Sequence, residues 1–176
     1  MADSEALVRV RTQEDIPGCA KVLREVYEVD GYPVEGVEDA EGWLFPDGLI
    51  EAWVAGPSDG ILGHALASEP RGEAAVEMFV ERTGLDESKV AVLARLFVAP
   101  AARGRSLGQE LAGAAMRYTQ SHGRRAVFDV MAKDRAAIRL YERVGCVRLG
   151  TTMHTFGDGQ QVPAYCYAAP GALDPA

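Results

Sequence analysis

Hydrophobic and polar residues along this chain of 176 residues alternate in segments short enough to take one by one. Val8-Arg9-Val10-Arg11 has the period of two expected of a strand. Thr12 stands as an N-cap before a run from about Glu14 to Glu28, in which Ile16, Cys19, Ala20, Leu23 and Tyr27 share one helical face. Gly31-Tyr32-Pro33 closes that helix. The stretch from Val34 to Pro46 follows neither period and holds Trp43 and Phe45. Two apolar runs, Ile50 to Ala55 and Ile61 to Ser68, flank Gly56-Pro57-Ser58-Asp59-Gly60 and predict a β-hairpin. Helical spacing returns from Gly72 to Thr83, through Ala75, Met78 and Phe79, with a stop at Gly84.

Val90 to Val98 is an apolar strand interrupted only by Arg95 and ended by Pro100. Leu107 to His122 predicts a helix with Leu111, Ala115 and Tyr118 on one face, and Ala126 to Met131 another strand. Asp134 to Val144 is helical, with Ala137, Leu140, Tyr141 and Val144 aligned and Gly145 as the C-terminal stop. Cys146 to Met153 and Gln161 to Ala168 then form a closing antiparallel pair around Gly157-Asp158-Gly159. The order β-α-β-β-α-β-α-β-α-β-β predicts an α/β fold, a mixed sheet covered by helices. No repeat or linker divides it, so a single domain over residues 1–176 is expected.

Composition narrows the function. A net charge of −8 argues against a nucleic-acid binder that works through bulk positive charge. No apolar run approaches the ~18 residues of a membrane span. The acidic start Met1-Ala-Asp-Ser-Glu-Ala lacks the basic and apolar regions of a secretory leader, so a cytoplasmic protein is expected. Cys19, Cys146 and Cys166 are far apart and lack metal-site spacing. They are expected to be reduced and structural, and no metal site is expected.

The segment LARLFVAPAARGRSLGQEL, Leu93 to Leu111, carries the chemistry. A buried strand runs into a turn that opens a helix. The first amides of a helix have no intrahelical partner and, with the helix dipole, attract an anion. Glycine lets the backbone approach that anion, and Arg103 and Arg105 add positive charge. A P-loop would need a lysine after Gly108, and a dinucleotide fingerprint would need GxGxxG; neither is present.

With the proline before it and the Ala/Leu-rich helix after it, this turn resembles the coenzyme A loop of the GNAT superfamily, [RQ]-x-x-G-x-[GA]. Arg103 matches its first position and Gly108 its last, while Ser106 stands where the pattern has its middle Gly. A second segment, Asp134-Arg135-Ala136-Ala137-Ile138 followed by LYERVG (Leu140 to Gly145), resembles the family's N-x-x-A-x-x-L-Y-x-x-x-G-F. There Asp134 replaces the frequent Asn and Cys146 the frequent aromatic. The resemblance spans about Val8 to Pro170, with its specific motifs between Leu93 and Gly145.

The resemblance implies a central mixed, mostly antiparallel sheet with helices on both faces. It implies an N-acyltransferase that moves an acetyl group from acetyl-CoA to a primary amine of a small molecule, directly in a ternary complex. The backbone of Leu96, Phe97 and Val98 would pair with the pantetheine arm. The turn Arg103, Gly104, Arg105, Ser106, Leu107 and Gly108 would hold the pyrophosphate, with Asp134 also beside the cofactor. Tyr141 would protonate the leaving sulfur. Relatives often carry the general base as a Glu on the strand before the turn, but Val90 to Val98 contains no carboxylate. Glu35, Glu38, Asp39, Glu41 and His64 stand as candidates, beside a water chain. A protein or peptide N-acetyltransferase and a non-catalytic acyl-CoA-binding module are the competing readings. A homodimer through the late strands is expected.

Overall fold

The structure, a computed structural model, describes residues 8–156, 159–171 and 173. The reading of residues 1–6, and of residues 157 and 158 in the last turn, lies outside this set. Among the described residues, seven strands and four of five helices follow in the expected order, the additional helix being a short one between the first helix and the second strand. They are β1 (Val8–Val10), α1 (Ile16–Asp30), α2 (Ala40–Trp43), β2 (Leu49–Ala55), β3 (Gly63–Ser68), α3 (Ala74–Thr83) and β4 (Val90–Val98). After these come α4 (Leu107–Ser121), β5 (Arg125–Met131), α5 (Arg135–Arg143), β6 (Val147–Phe156) and β7 (Gln160–Ala168). The sheet order is β1-β2-β3-β4-β5-β7-β6. It is mixed and mostly antiparallel; β4 and β5 run parallel, with Val90, Ala91 and Val92 opposite Arg125, Ala126 and Val127.

Two local differences from the sequence reading have simple causes. Residues Gln13–Asp15 form a 3-10 turn, so α1 starts at Ile16. Asp15 reaches back to accept from the Thr12 N–H at 2.7 Å and the Thr12 hydroxyl at 3.1 Å, which satisfies groups that the helix cannot. Within Val34–Pro46 lies the short α2, capped by Asp39, whose carboxylate accepts from the Gly42 N–H at 3.0 Å. One turn is too short to show a period.

The chain forms two compact units, Met1–Ser68 with Ala94–Ala115, and Glu69–Leu93 with Met116–Ala176. In the first, antiparallel β1, β2 and β3 carry a core that includes Leu23, Leu44, Val54, Leu66, Phe97 and Leu111. Gly63 allows a close approach here, since an added Cβ would sit 3.0 Å from the Phe97 carbonyl oxygen and 2.8 Å from Leu111. In the second, β5, β7 and β6 form an antiparallel group over a core of Phe79, Val90, Val127, Phe128 and Tyr167. Arg124 fastens the start of β4 there. Its guanidinium donates to the Val90 carbonyl at 2.7 and 3.0 Å and pairs with Glu69.

The cysteines behave as the sequence predicts of structural residues: all three are buried, free thiols. Burial pushes the Cys19 and Cys146 thiols up to about 12 and Cys166 to about 11.

The one fully buried carboxylate of the first unit among the described residues is Asp15. Arg9 grips it at 2.7 and 2.8 Å, and the Ser58 hydroxyl donates to it at 2.6 Å. The Arg9 hydrogen bonds hold the Asp15 carboxyl well below the usual carboxylate range, against the effect of its burial. Its folded value lies below its unfolded one, so this stability is present above about pH 4 and is lost as pH falls from there toward the folded value. Asp15→Asn should therefore cost about 2–4 kcal/mol at pH 7, by leaving a charged guanidinium without its anion. The gap to the parent should close as the pH drops below about 4. Urea unfolding of both proteins at pH 7 and pH 3 checks this, and an unchanged gap would assign the cost to packing.

Candidate active site

The residues expected to handle the cofactor fall in both units. In the first, β4 carries Leu96 and Val98 half-exposed and Phe97 buried. The strand is not regular. Arg95 has φ 53, a left-handed conformation that costs a non-glycine residue about 1–2 kcal/mol. Such a residue interrupts the regular pleat of a strand, a local bulge in the path of the backbone, and re-aims the residues after it.

Several partners hold that bulge. The Arg95 guanidinium lies 4.7 Å from the centre of the Trp43 ring and donates to the Trp43 carbonyl in a short contact. The Arg95 carbonyl accepts from His64 Nδ1 at 2.9 Å, and the far ring nitrogen of His64 is 2.9 Å from Arg11 Nη1. Arg11 in turn donates to the Leu44 carbonyl at 2.8 Å and lies 4.6 Å from the Phe45 ring centre. The two arginines thus take up carbonyls at the C-terminal end of α2, which a helix leaves unsatisfied. Tyr32 meets Trp43 edge-on at 5.8 Å, and Phe97 packs tilted against Trp43 at 6.2 Å. Glu35 accepts from the Trp43 indole N–H at 2.7 Å.

This cluster removes His64 from the candidate bases. It is fully buried, and burial pushes its pKa down to about 3. Arginine only donates, so the nitrogen facing Arg11 must accept, and the proton sits on Nδ1 toward Arg95. Asp39 is occupied as the cap of α2. The sequence hinted at the cluster through Arg95, the single polar break in an apolar strand, but gave no sign of its partners.

After Pro100 the chain makes the predicted turn. Arg103, Gly104, Arg105 and Ser106 are exposed, and Leu107 and Gly108 are buried where α4 begins. Gly104 has φ 81 and Ser106 φ 61. Left-handed residues in such a turn make successive N–H groups converge into a concave anion site. An added Cβ on Gly104 would meet nothing within 4 Å, so this side of the turn is open to a ligand. The first α4 turn closes with the Glu110 N–H on the Ser106 carbonyl at 3.1 Å, and the amides before it have no intrahelical acceptor. Arg103 does not point into the turn unaccompanied. Its guanidinium pairs with Asp30 at the end of α1, both side chains being about two-fifths exposed. A pair that open to water is worth about 0–1 kcal/mol and yields readily to a stronger anion.

In the second unit, Asp134 is the N-cap of α5, its Oδ1 accepting from the Ala137 N–H at 3.1 Å. This accounts for a carboxylate where relatives have Asn, since both cap equally well. Tyr141 is buried on α5, its ring 4.3 Å from Phe128 and 6.4 Å from Tyr167. The Tyr167 hydroxyl donates a hydrogen bond to the Glu142 carboxylate at 3.0 Å and accepts one from Arg148 at 3.1 Å. Among the described residues, no group of His, Cys, Asp and Glu side chains could hold a metal ion. No helix there is long and apolar enough to cross a membrane.

Ser106 gives a direct test of the turn. Its left-handed backbone would suit glycine, the residue that the family pattern has at this position. The relief of about 1–2 kcal/mol is partly offset by the freedom glycine gains in the unfolded chain, about 0.5–1 kcal/mol. Ser106→Gly should therefore raise stability by up to about 1 kcal/mol, visible as a melting temperature a few degrees higher. A lower melting temperature would mean that the Ser106 side chain, not its backbone, is what the turn needs.

The comparisons agree with this architecture. No curated protein matches the sequence. Solved structures share the fold. A ribosomal-protein-alanine N-acetyltransferase from Brucella melitensis aligns with TM-score 0.71 and 20% identity, over 93% of this chain and 99% of that one. An N-acetyltransferase from Staphylococcus aureus Mu50 aligns with TM-score 0.71 and 16% identity, over 95% and 99%. Arabidopsis thaliana NAA60, solved in complex with acetyl-CoA, aligns with TM-score 0.65 and 19% identity, over 92% and 96%. The model of the acetyltransferase (GNAT) family matches residues 18–146, most of the chain, and the protein belongs to that family.

Proposed function

We propose that the protein transfers an acetyl group from acetyl-CoA to a primary amine of a small molecule, by direct attack with both substrates bound. The observation that carries this reading is the turn from Arg103 to Gly108, with two left-handed residues feeding the unsatisfied amides of α4. Its donor set is anionic-ligand chemistry: backbone N–H groups, two guanidiniums and no carboxylate within the turn. The turn holds the pyrophosphate, and Arg103 exchanges Asp30 for it. Leu96, Phe97 and Val98 offer strand N–H and C=O groups to the pantetheine arm, and a strand N–H polarises the thioester oxygen.

Acetyl-CoA supplies an activated acyl thioester. The acceptor nitrogen forms its bond to the acetyl carbon as the carbon–sulfur bond breaks. The departing sulfur takes a proton from the Tyr141 hydroxyl, neutral near pH 7. The nitrogen sheds a proton to water, and Tyr141 recovers its own from solvent. The preference for a small acceptor rests on the aromatic residues Tyr32, Trp43 and Phe97 clustered in the first unit, side chains of the kind that line small-molecule sites.

Calorimetry with acetyl-CoA, followed by a panel of small amines and peptides assayed for acetyl-CoA-dependent thiol release, tests the reading. Absence of binding at millimolar acetyl-CoA would overturn it, and turnover confined to peptides would overturn the small-molecule part. Tyr141→Phe keeps the ring contacts with Phe128 and Tyr167. It should keep the fold and the acetyl-CoA affinity and lower turnover about 100-fold or more. Unchanged turnover with chemistry rate-limiting would remove Tyr141 as the acid.

A further inference from the structure

Within the first unit, the Arg95 bulge demands an explanation, because nothing in an Arg side chain favours φ 53. Strain of this kind persists only where surrounding contacts over-determine it. One contact acts on the backbone of Arg95 itself, the 2.9 Å hydrogen bond from His64 Nδ1 to the Arg95 carbonyl. The ring is fixed from two other directions. Its far nitrogen accepts from Arg11, and its face lies on Phe97 with centroids 5.1 Å apart and planes 17° apart. Phe97 is two residues beyond the bulge, so His64 grips β4 on both sides of Leu96.

We infer that His64 is a positioning residue, which locks the Arg95 carbonyl and the Phe97 ring so that the Leu96–Val98 backbone is presented in one conformation to the acyl-CoA arm. This rests on the reading of Leu96–Val98 as the strand that receives the arm. The ring never needs to change protonation. Its buried, neutral state suits a permanent N–H donor facing a carbonyl and a permanent acceptor facing a guanidinium. Arg11 sets the tautomer from the rim. With a donor-only partner on one nitrogen, the proton has only the Arg95 side to occupy. The strand conformation is in this way fixed before the ligand arrives, and binding is spared the cost of ordering it.

Two substitutions separate this role from plain packing, because each keeps one end of the ring. In His64→Asn the amide nitrogen overlays Nδ1 and can still donate to the Arg95 carbonyl. In His64→Gln the amide overlays the far nitrogen, meets Arg11 and loses the bulge. Acetyl-CoA affinity by calorimetry should stay within about threefold of the parent in the Asn variant and weaken about tenfold or more in the Gln variant, the span of one buried hydrogen bond. Both should lose melting temperature to a similar degree, since both leave one buried partner unsatisfied. Should either fail to fold, Arg11→Met carries the test. It keeps an apolar stem over Phe45, frees the tautomer, and should weaken acetyl-CoA several-fold. Equal affinities in the two His64 variants, or an Arg11→Met variant that binds as the parent does, would overturn the inference while leaving the proposed reaction standing. A parent protein that binds no acetyl-CoA would remove both.

Discussion

The fold depends on a strand that must do two incompatible things. β4 begins as an ordinary buried strand, in parallel register with β5 from Val90 to Val92 and fastened by Arg124. Its second half follows a left-handed residue, Arg95, and leaves Leu96 and Val98 half-exposed. A strand keeps one conformation by pairing on both sides, so a break in that regularity needs other contacts to hold it. The first unit supplies them from three elements: Arg11 after β1, His64 on β3, and the carbonyl end of α2. These groups belong to different parts of the sequence, and His64 joins them, one ring nitrogen facing Arg11 and the other the Arg95 carbonyl. Among the described residues no buried side-chain polar atom lacks a partner, as such a network requires.

The turn after β4 follows the same logic at the backbone level. Gly104 takes its left-handed conformation without strain, whereas Ser106 does so at a cost. The turn then hands directly to α4, anchored by buried Leu107 and Gly108. A strained residue such as Ser106 persists only where its surroundings over-determine it, and here the buried start of α4 follows directly.

Much of this was legible in the sequence, and the rest was not for definite reasons. Most of the element order, the limits of β4 and the turn that follows it were readable because periodicity and glycine placement are local properties. Gly31 and Gly84 end their helices with left-handed caps where the sequence places the stops. α2 was missed because a single turn carries no period. Arg103 was read as a phosphate ligand, but its partner Asp30 lies far earlier in the chain, and no local pattern joins them. His64 resembled a base because its burial is decided by how β3 packs, which composition does not reveal. The conformation of Arg95 could not be foreseen at all, since a left-handed arginine exists only through the tertiary contacts that enforce it.

Sulfur gives the structure a practical corollary. Acyl transfer from a thioester liberates one thiol for each acetyl group moved, and thiol-reactive dyes count such events by reacting with thiolate. The three cysteines of this protein are buried, with thiols pushed to about 11 or 12. At assay pH they carry almost no thiolate, and the folded protein is therefore nearly silent to the dye. Any slow appearance of protein-derived signal would report unfolding instead, so one reagent can count turnover and, over longer times, integrity of the same sample.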